Sequence, residues 1–273
     1  MAPASINLGD SLHLVTVAGN NVLAETSGAA TVLVDGGSAD QADALLNAVA
    51  ELPGAGTVEV LLNTHWHPEQ TGANRALGEA GARIIAQENT RLWLTSDIVY
   101  PWDDSRFEPL PAAALPNETF YDDGGMLDGG IRYGHLRHAA HTDGDLYVFF
   151  EADNVLAVGG AVSGDRWPLV DWWTGGWIGG IVGTLEYVLS LADTDTRIVP
   201  ANGPVMQRAA IEQQYEMYNV IYERLAEMLN RGRGPEEAVE ARPTAEFDAQ
   251  MGPSEEFVRL AFQSLWAYLS PDA

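Results

Sequence analysis

The chain has 273 residues, of which 46% are hydrophobic, and it carries a formal net charge of -25. That charge argues against nucleic-acid backbones and anionic membranes as partners. All basic residues are arginines and cysteine is absent, which excludes lysine nucleophiles, disulfides and thiolate ligands. We expect one cytoplasmic domain over residues 1–273, without a signal peptide or a transmembrane span, because neither pattern occurs in the sequence.

The first half of the chain predicts alternating strands and helices. Alternating or continuous apolar residues favour strands at 11–17, 21–25, 31–34, 57–62 and 83–86. Helical spacing predicts helices at 39–51, 71–80 and 88–94. Residues 101–117 are rich in proline and alanine, which indicates a long surface excursion near the mouth of a site.

The second half predicts another group of strands followed by long helices. The strands are expected at 131–137, 145–150, 155–158 and 197–199. The helices are expected at 180–191, 207–230 and 255–269. The last two are amphipathic and belong to a helical extension over about 205–273. Their apolar faces would either pack on the sheets or pair two protomers as a homodimer.

Two histidines one residue apart follow the strand expected at 57–62. Side chains alternate along an extended chain, so His65 and His67 can point to the same side. A metal ion needs such convergence, and imidazole suits zinc, iron, nickel or copper. By itself, this pair is equally consistent with a metal site and with two loop histidines that have no function.

The sequence around this pair resembles the metallo-β-lactamase superfamily, whose signature is His-x-His-x-Asp-His. Residues 63–68 and 71–74 match that motif, 139–145 resemble the second histidine motif, and 198–204 lie where the family has Pro-Gly-His-Gly. Residues 166–171, 236–239 and 243–248 match the hydrolase-like branch labelled quinoprotein-relay or sulfur-oxidation associated. This resemblance implies an α/β fold, the αββα sandwich, with extra C-terminal helices.

The resemblance also implies a metal site of which only half remains. In the family three histidines hold one metal, and His65, His67 and His141 match them. An Asp, a His, a bridging Asp and a final His hold the second metal. Those four positions are all changed, to Glu69, Gln70, Gly160 and Asn202.

The changed positions are poor metal ligands. An amide is a weak ligand beside imidazole, glycine has no side chain, and the longer Glu69 moves its carboxylate outward. Three histidines with an open fourth position are typical of a catalytic zinc site. We therefore expect one Zn²⁺, with Fe²⁺ or Mn²⁺ as alternatives. The other interpretation is a site that binds no metal.

Further candidate residues surround this motif. Glu69 is a candidate general base, or else a carboxylate that binds backbone N–H groups. Arg166 and Asp171 match family positions, and we expect them to form an ion pair that shapes their loop, unless Arg166 binds a substrate carboxylate. An aromatic wall for the substrate would consist of Trp66, Trp172, Trp173 and Trp177, although tryptophans are also common in cores.

These residues predict a mononuclear hydrolase. Metal-bound hydroxide would attack an ester, lactone or amide of an apolar or aromatic small molecule, with Glu69 orienting or deprotonating the water. The loss of the second metal disfavours phosphodiester and β-lactam chemistry. The alternatives are a metal-dependent lyase, isomerase or cyclase, and a non-catalytic small-molecule-binding protein that has lost its metal.

Overall fold

The computed structural model describes residues 3–27 and 30–269 of the chain. Its strands are β1 (Ala4–Asn7), β2 (Leu12–Val17), β3 (Asn20–Glu25), β4 (Ala30–Val34), β5 (Thr57–Leu62), β6 (Arg83–Gln87), β7 (Ile98–Val99), β8 (Arg106–Phe107), β9 (Glu118–Phe120), β10 (Gly125–Leu127), β11 (Ile131–His135), β12 (Leu146–Phe150), β13 (Val155–Gly159), β14 (Arg197–Pro200) and β15 (Met206–Gln207). Its α-helices are α1 (Ala42–Ala50), α2 (Pro68–Thr71), α3 (Asn74–Glu79), α4 (Glu88–Leu94), α5 (Ile178–Leu191), α6 (Arg208–Asn230), α7 (Pro235–Ala241), α8 (Asp248–Met251) and α9 (Glu255–Leu269). The predicted domain of 1–273 includes residues 1–2, 28–29 and 270–273, which lie outside the described ranges.

The strands form two mixed sheets and one small hairpin. Within the described residues, one sheet has the order β1-β2-β3-β4-β5-β6-β9, and the other has the order β10-β11-β12-β13-β14-β15. The first sheet is antiparallel from β1 to β4 and parallel from β4 onward. In the second sheet, β13 and β14 pair in parallel while the other neighbours are antiparallel. Strands β7 and β8 pair only with each other.

Side chains that alternate between the two faces of a strand contribute to two different apolar layers. In β2, Leu12 and Leu14 point into the core between the two sheets, where they meet residues of β12 and β13. Val15 and Val17 of the same strand join a separate cluster with α1 and α3. Because successive side chains face opposite sides, a strand covered on both faces is apolar almost throughout.

A third apolar cluster covers the outer face of the second sheet. Helices α5, α6 and α9 contribute to it, with Ile181, Ile221 and Phe262 among the buried residues. The layers therefore run helix, sheet, sheet, helix. The predicted αββα sandwich with additional C-terminal helices is confirmed.

Local details differ from the sequence-based expectations. The helix expected at 71–80 is instead divided into α2 and α3, and Gly72, which lies between them, packs against the backbone of another loop. A Cβ atom at Gly72 would be 2.2 Å from the carbonyl carbon of Ser38. Strand β1 and the hairpin of β7 and β8 were not predicted from the residue pattern. None of the described helices combines the length and the apolar character that crossing a membrane requires.

Candidate metal centre

Three histidines converge where the two sheets meet. His65 and His67 lie in the loop after β5, and His141 lies between β11 and β12. Their exposed fractions are 1%, 6% and 7%, and one ring nitrogen from each lies within 4.8 Å of the others. Strand β5 ends buried beside β4 and β6, so its carboxyl end delivers the first two imidazoles into the space that His141 enters from the second sheet. The structure thus brings the predicted trio together.

Each of these imidazoles is held by a hydrogen bond at the nitrogen that faces away from the trio. His65 Nδ1 lies 2.9 Å from Thr64 Oγ1, and the Thr64 hydroxyl donates to Asp35 at 2.8 Å. His141 Nδ1 donates to the carbonyl oxygen of Leu169 at 2.7 Å. A hydrogen bond at one ring nitrogen fixes the tautomer and leaves the lone pair on the other nitrogen. His65 and His141 therefore both aim Nε2 at the centre.

His67 is oriented by a buried carboxylate. Its Nε2 lies 3.0 Å from Asp171 Oδ2 and 3.1 Å from the Tyr100 hydroxyl. Asp171 Oδ2 also accepts from Tyr100 at 2.8 Å and from Thr174 at 2.5 Å, and Thr174 in turn accepts from the Trp66 indole at 3.0 Å. These contacts leave Nδ1 of His67 facing the other two rings.

Asp171 carries a negative charge despite its burial. Burial favours the neutral acid, but the hydrogen bonds from His67, Thr174 and Tyr100 outweigh it and lower the Asp171 pKa. A carboxylate in this position strengthens a histidine ligand and fixes its orientation. The predicted ion pair between Asp171 and Arg166 is wrong, because Arg166 instead pairs with Asp165 at 3.0 Å.

The donor set fits a metal ion. Nδ1 of His67 and Nε2 of His141 are 2.8 Å apart, and their outer hydrogen bonds leave a lone pair on each. Two lone pairs at this distance repel unless a cation or a proton lies between them. Burial, followed by the proximity of His67, lowers the His141 pKa to about 3, and burial with the neighbouring imidazoles holds the His65 pKa well below its usual value. At neutral pH these two rings are uncharged, which a ligand must be.

The pocket beside the trio contains all four positions at which the family's second metal would be held. The cavity has a volume of about 310 Å³, and Glu69, Gln70, Gly160 and Asn202 line it together with the three histidines. Among the described lining residues Glu69 is the one carboxylate, and it is exposed.

Gly160 is packed against the ring of a trio member. A Cβ atom at Gly160 would lie 2.2 Å from Cδ2 and 2.5 Å from Nε2 of His141. No side chain fits there unless His141 moves. The imidazole of the retained trio thus lies against the position from which a bridging carboxylate would extend.

The four tryptophans expected to bind substrate point elsewhere. Trp66 is buried against Phe107, Trp172 packs near Trp102, and Trp177 stacks on Tyr268 with ring centroids 3.7 Å apart. Trp173 is largely exposed, and among the described residues that line the pocket none of these four occurs. The apolar lining comes instead from Val162 and the segment Trp167, Pro168 and Leu169, while Arg166 lies at its start.

Sequence reasoning missed the residues that hold the trio. Asp35, Tyr100 and Thr174 carried no motif that linked them to the histidines, and Leu169 contributes only a carbonyl oxygen. Asp171 was singled out, but for a different partner. The crowding of tryptophans at 166–177 was visible in the sequence, yet it did not indicate that Trp167 faces the pocket.

The αββα sandwich with three convergent histidines defines a class of metal-binding protein, and comparisons with known proteins identify the family. The family model for the metallo-beta-lactamase superfamily matches residues 14–215. The chain belongs to this superfamily. A search of curated proteins found no match.

Solved structures of β-lactamases share the fold. DIM-1 metallo-beta-lactamase is 16% identical, with a TM-score of 0.64, over 80% of this chain and 98% of that chain. A metallo-beta-lactamase from Pontibacter korlensis is also 16% identical, with a TM-score of 0.64, over 80% of this chain and 99% of that chain. At these identities the likeness establishes the fold alone.

Proposed function

We propose that this protein is a mononuclear metal-dependent hydrolase that acts on an ester, lactone or amide of a small molecule. The observation that carries the proposal is the trio itself, in which three lone pairs converge while every outer nitrogen is anchored. One Zn²⁺, or Fe²⁺ or Mn²⁺ in its place, would be held by His65 Nε2, His67 Nδ1 and His141 Nε2. When bound, the ion supplies Lewis-acid activation of water and of a carbonyl oxygen.

Several features support a single metal ion. Gln70 and Asn202 offer neutral amides, and Gly160 offers no side chain in a position that the His141 ring crowds. An amide is a weak ligand beside imidazole. We include in this proposal the assignment to the hydrolase-like branch labelled quinoprotein-relay or sulfur-oxidation associated, which the motifs at 166–171, 236–239 and 243–248 favour.

Side chains of the protein position the imidazoles, accept a proton and exclude water from the substrate. Asp171 and the pair of Thr64 and Asp35 keep the imidazoles in place, so little reorganisation is needed when the substrate arrives. Glu69 accepts the proton of the attacking water from its position in the pocket lining. Trp167 and Leu169 exclude water from the organic part of the substrate.

A hydrolysis assay with zinc-loaded protein tests this proposal. The substrates are p-nitrophenyl acetate, p-nitrophenyl butyrate, γ-butyrolactone and p-nitroacetanilide. We expect hydrolysis of at least one ester or lactone, a loss of at least about hundredfold in His141→Ala, and a loss of about hundredfold or more in kcat in Glu69→Gln.

Equal rates in wild type and His141→Ala would identify the hydrolysis as background and end the proposal. Turnover in ¹⁸O-labelled water gives a second criterion. Product without the label would replace hydrolysis with elimination, isomerisation or ring closure.

A further inference from the structure

A second cavity adjoins the pocket of the metal centre. It has a volume of about 300 Å³, and one side of it is the segment 166–169, which also lines the first pocket. The opposite side belongs to the C-terminal helical region and consists of Met251, Pro253, Glu256, Phe257 and Leu260. We call this second cavity the C-terminal groove. The two cavities are neighbours, because residues 166–169 belong to the linings of both.

The shared wall is firmly built. The Trp167 ring stacks on Phe257 with centroids 4.6 Å apart and an interplanar angle of 15°, and its indole N–H donates to the carbonyl oxygen of Gly252 at 2.9 Å. Two residues further along, the carbonyl oxygen of Leu169 accepts from His141. One short segment therefore joins a ligand of the metal centre to the C-terminal groove.

The chemistry of the C-terminal groove favours a neutral hydrocarbon chain. Met251, Phe257 and Leu260 are apolar lining residues, and each is almost fully buried in the C-terminal core cluster. The charged residues in the described lining, Arg166 and Glu256, are exposed and opposite in sign, so the lining carries no net charge that would select a charged ligand. The residues from 251 to 260 also lie beyond the family match at 14–215, so this wall belongs to the part of the chain that the shared family pattern does not cover.

We propose that the C-terminal groove binds the apolar chain of the substrate while its carbonyl group lies at the three histidines. This inference rests on the proposed function and narrows its substrate class to esters, lactones or amides that carry a hydrocarbon chain of several carbons. The chain lies along Trp167 and Leu169 and against the side of the groove that Phe257 and Leu260 line. Burial of each methylene there contributes to binding.

Binding of 2-alkanones, which cannot be hydrolysed, tests the groove without any turnover. Calorimetric titration of the full chain with 2-butanone, 2-hexanone, 2-octanone and 2-decanone should show affinity that rises roughly fourfold per added methylene until the groove is filled. Glu256→Trp places an indole in the groove and should abolish this increase.

Glu255→Trp is the matched control. Both residues are exposed acids in the first turn of α9, so each variant removes one charge and adds one indole, but Glu255 does not belong to the described groove lining. The chain-length increase should persist in Glu255→Trp. Melting temperatures establish that both variants are folded. Affinity independent of chain length, or an equal increase in both variants, would overturn the inference.

Ester hydrolysis then separates this inference from the proposed function. With p-nitrophenyl esters from acetate to decanoate, the ratio of kcat/KM for long and short chains should be high in wild type and Glu255→Trp, and should collapse in Glu256→Trp. Hydrolysis without any chain-length preference would overturn the inference about the groove but leave the proposed hydrolase function supported. Ketone binding that depends on chain length, without hydrolysis of any ester, would support the groove as a binding site and overturn the proposed hydrolase function.

Discussion

The two halves of the metal centre differ in how much structure supports each side chain. In the first half every histidine is held by a hydrogen-bond partner, namely Thr64, Asp171 or the carbonyl oxygen of Leu169. In the second half the corresponding positions are an exposed carboxylate, two amides and the glycine at 160. One half is therefore organised to present lone pairs, and the other is not.

This difference argues against general decay of the site. Burying the Asp171 carboxylate costs free energy unless several donors satisfy it, and three side-chain donors and the backbone N–H of Thr174 do so here. This network orients the His67 imidazole, whose free lone pair faces the rings of His65 and His141. The contrast separates two questions, whether the first half binds a metal ion and whether the second half does, and each can be tested by substitution.

The largest effect is expected when a histidine of the first half is removed. His141→Ala leaves two imidazoles, so zinc affinity should fall at least about hundredfold, since each ligand bond carries several kcal/mol of the binding free energy. Competition with a chromophoric chelator measures this. Asn202→Ala, in the second half, is the control and should bind zinc like wild type. An equal loss of zinc affinity in both variants would show that the two halves do not differ in metal binding.

The next effect concerns the support of the first half. Asp171→Asn removes the negative charge beside His67, and zinc affinity should fall about tenfold to hundredfold. Tyr100→Phe removes one hydrogen bond but keeps the carboxylate, so its loss should be smaller. The same chelator competition ranks the two variants. Wild-type affinity in Asp171→Asn would show that the carboxylate does not position the ligand.

Restoring a carboxylate to the second half should not restore a second metal. In Gly160→Asp the new Cβ overlaps the His141 ring, so the free energy of unfolding should fall by about 1–3 kcal/mol and metal content should not rise. Gly160→Ala creates the same overlap without the carboxylate and should show a similar loss. Urea denaturation and elemental analysis provide the data. A second bound metal in a fully stable Gly160→Asp protein would contradict this account.

The smallest effect is a pH dependence of the metal-free protein. The His141 pKa is about 3 in the folded state, against about 6.5 for a solvent-exposed histidine in the unfolded chain, so the unfolded state binds more protons between these values. The contribution of His141 to the free energy of unfolding is complete above pH 6.5. It decreases as the pH falls, and the loss is about 2 kcal/mol at pH 5. Asp35 and Asp145, whose pKa values burial raises to about 7, act in the opposite direction, because their contribution is lost as the pH rises towards 7.

Comparison with His141→Gln isolates the histidine from these carboxyl groups. Urea denaturation at pH 7 and pH 5 should show that wild type loses about 2 kcal/mol more than the variant. Parallel losses in the two proteins would mean that His141 titrates normally in the folded state.

The fold and the trio were predictable from the sequence because their signals are local. Strand alternation and the one-residue spacing of His65 and His67 occupy a few positions each. The third ligand, His141, required the family motif. The contact of Asp171 with His67 joins positions 104 residues apart, and only the folded chain reveals it.

Side-chain direction accounts for most of what the sequence did not reveal. Trp167 faces the pocket whereas Trp177 stacks on Tyr268, and residue type alone does not distinguish them. The support of His141 by Leu169 uses a backbone carbonyl, which every residue possesses. The crowding of Gly160 by His141 likewise depends on how two loops approach each other.

Metal content of the full chain, purified without a histidine tag, tests the central claim most directly. Elemental analysis of wild type should find one zinc, iron or manganese ion per chain, and the His65→Ala/His67→Ala variant should contain none. That result would establish a single-metal centre held by the trio. Two ions per chain in wild type, or none after incubation with excess zinc, would contradict it.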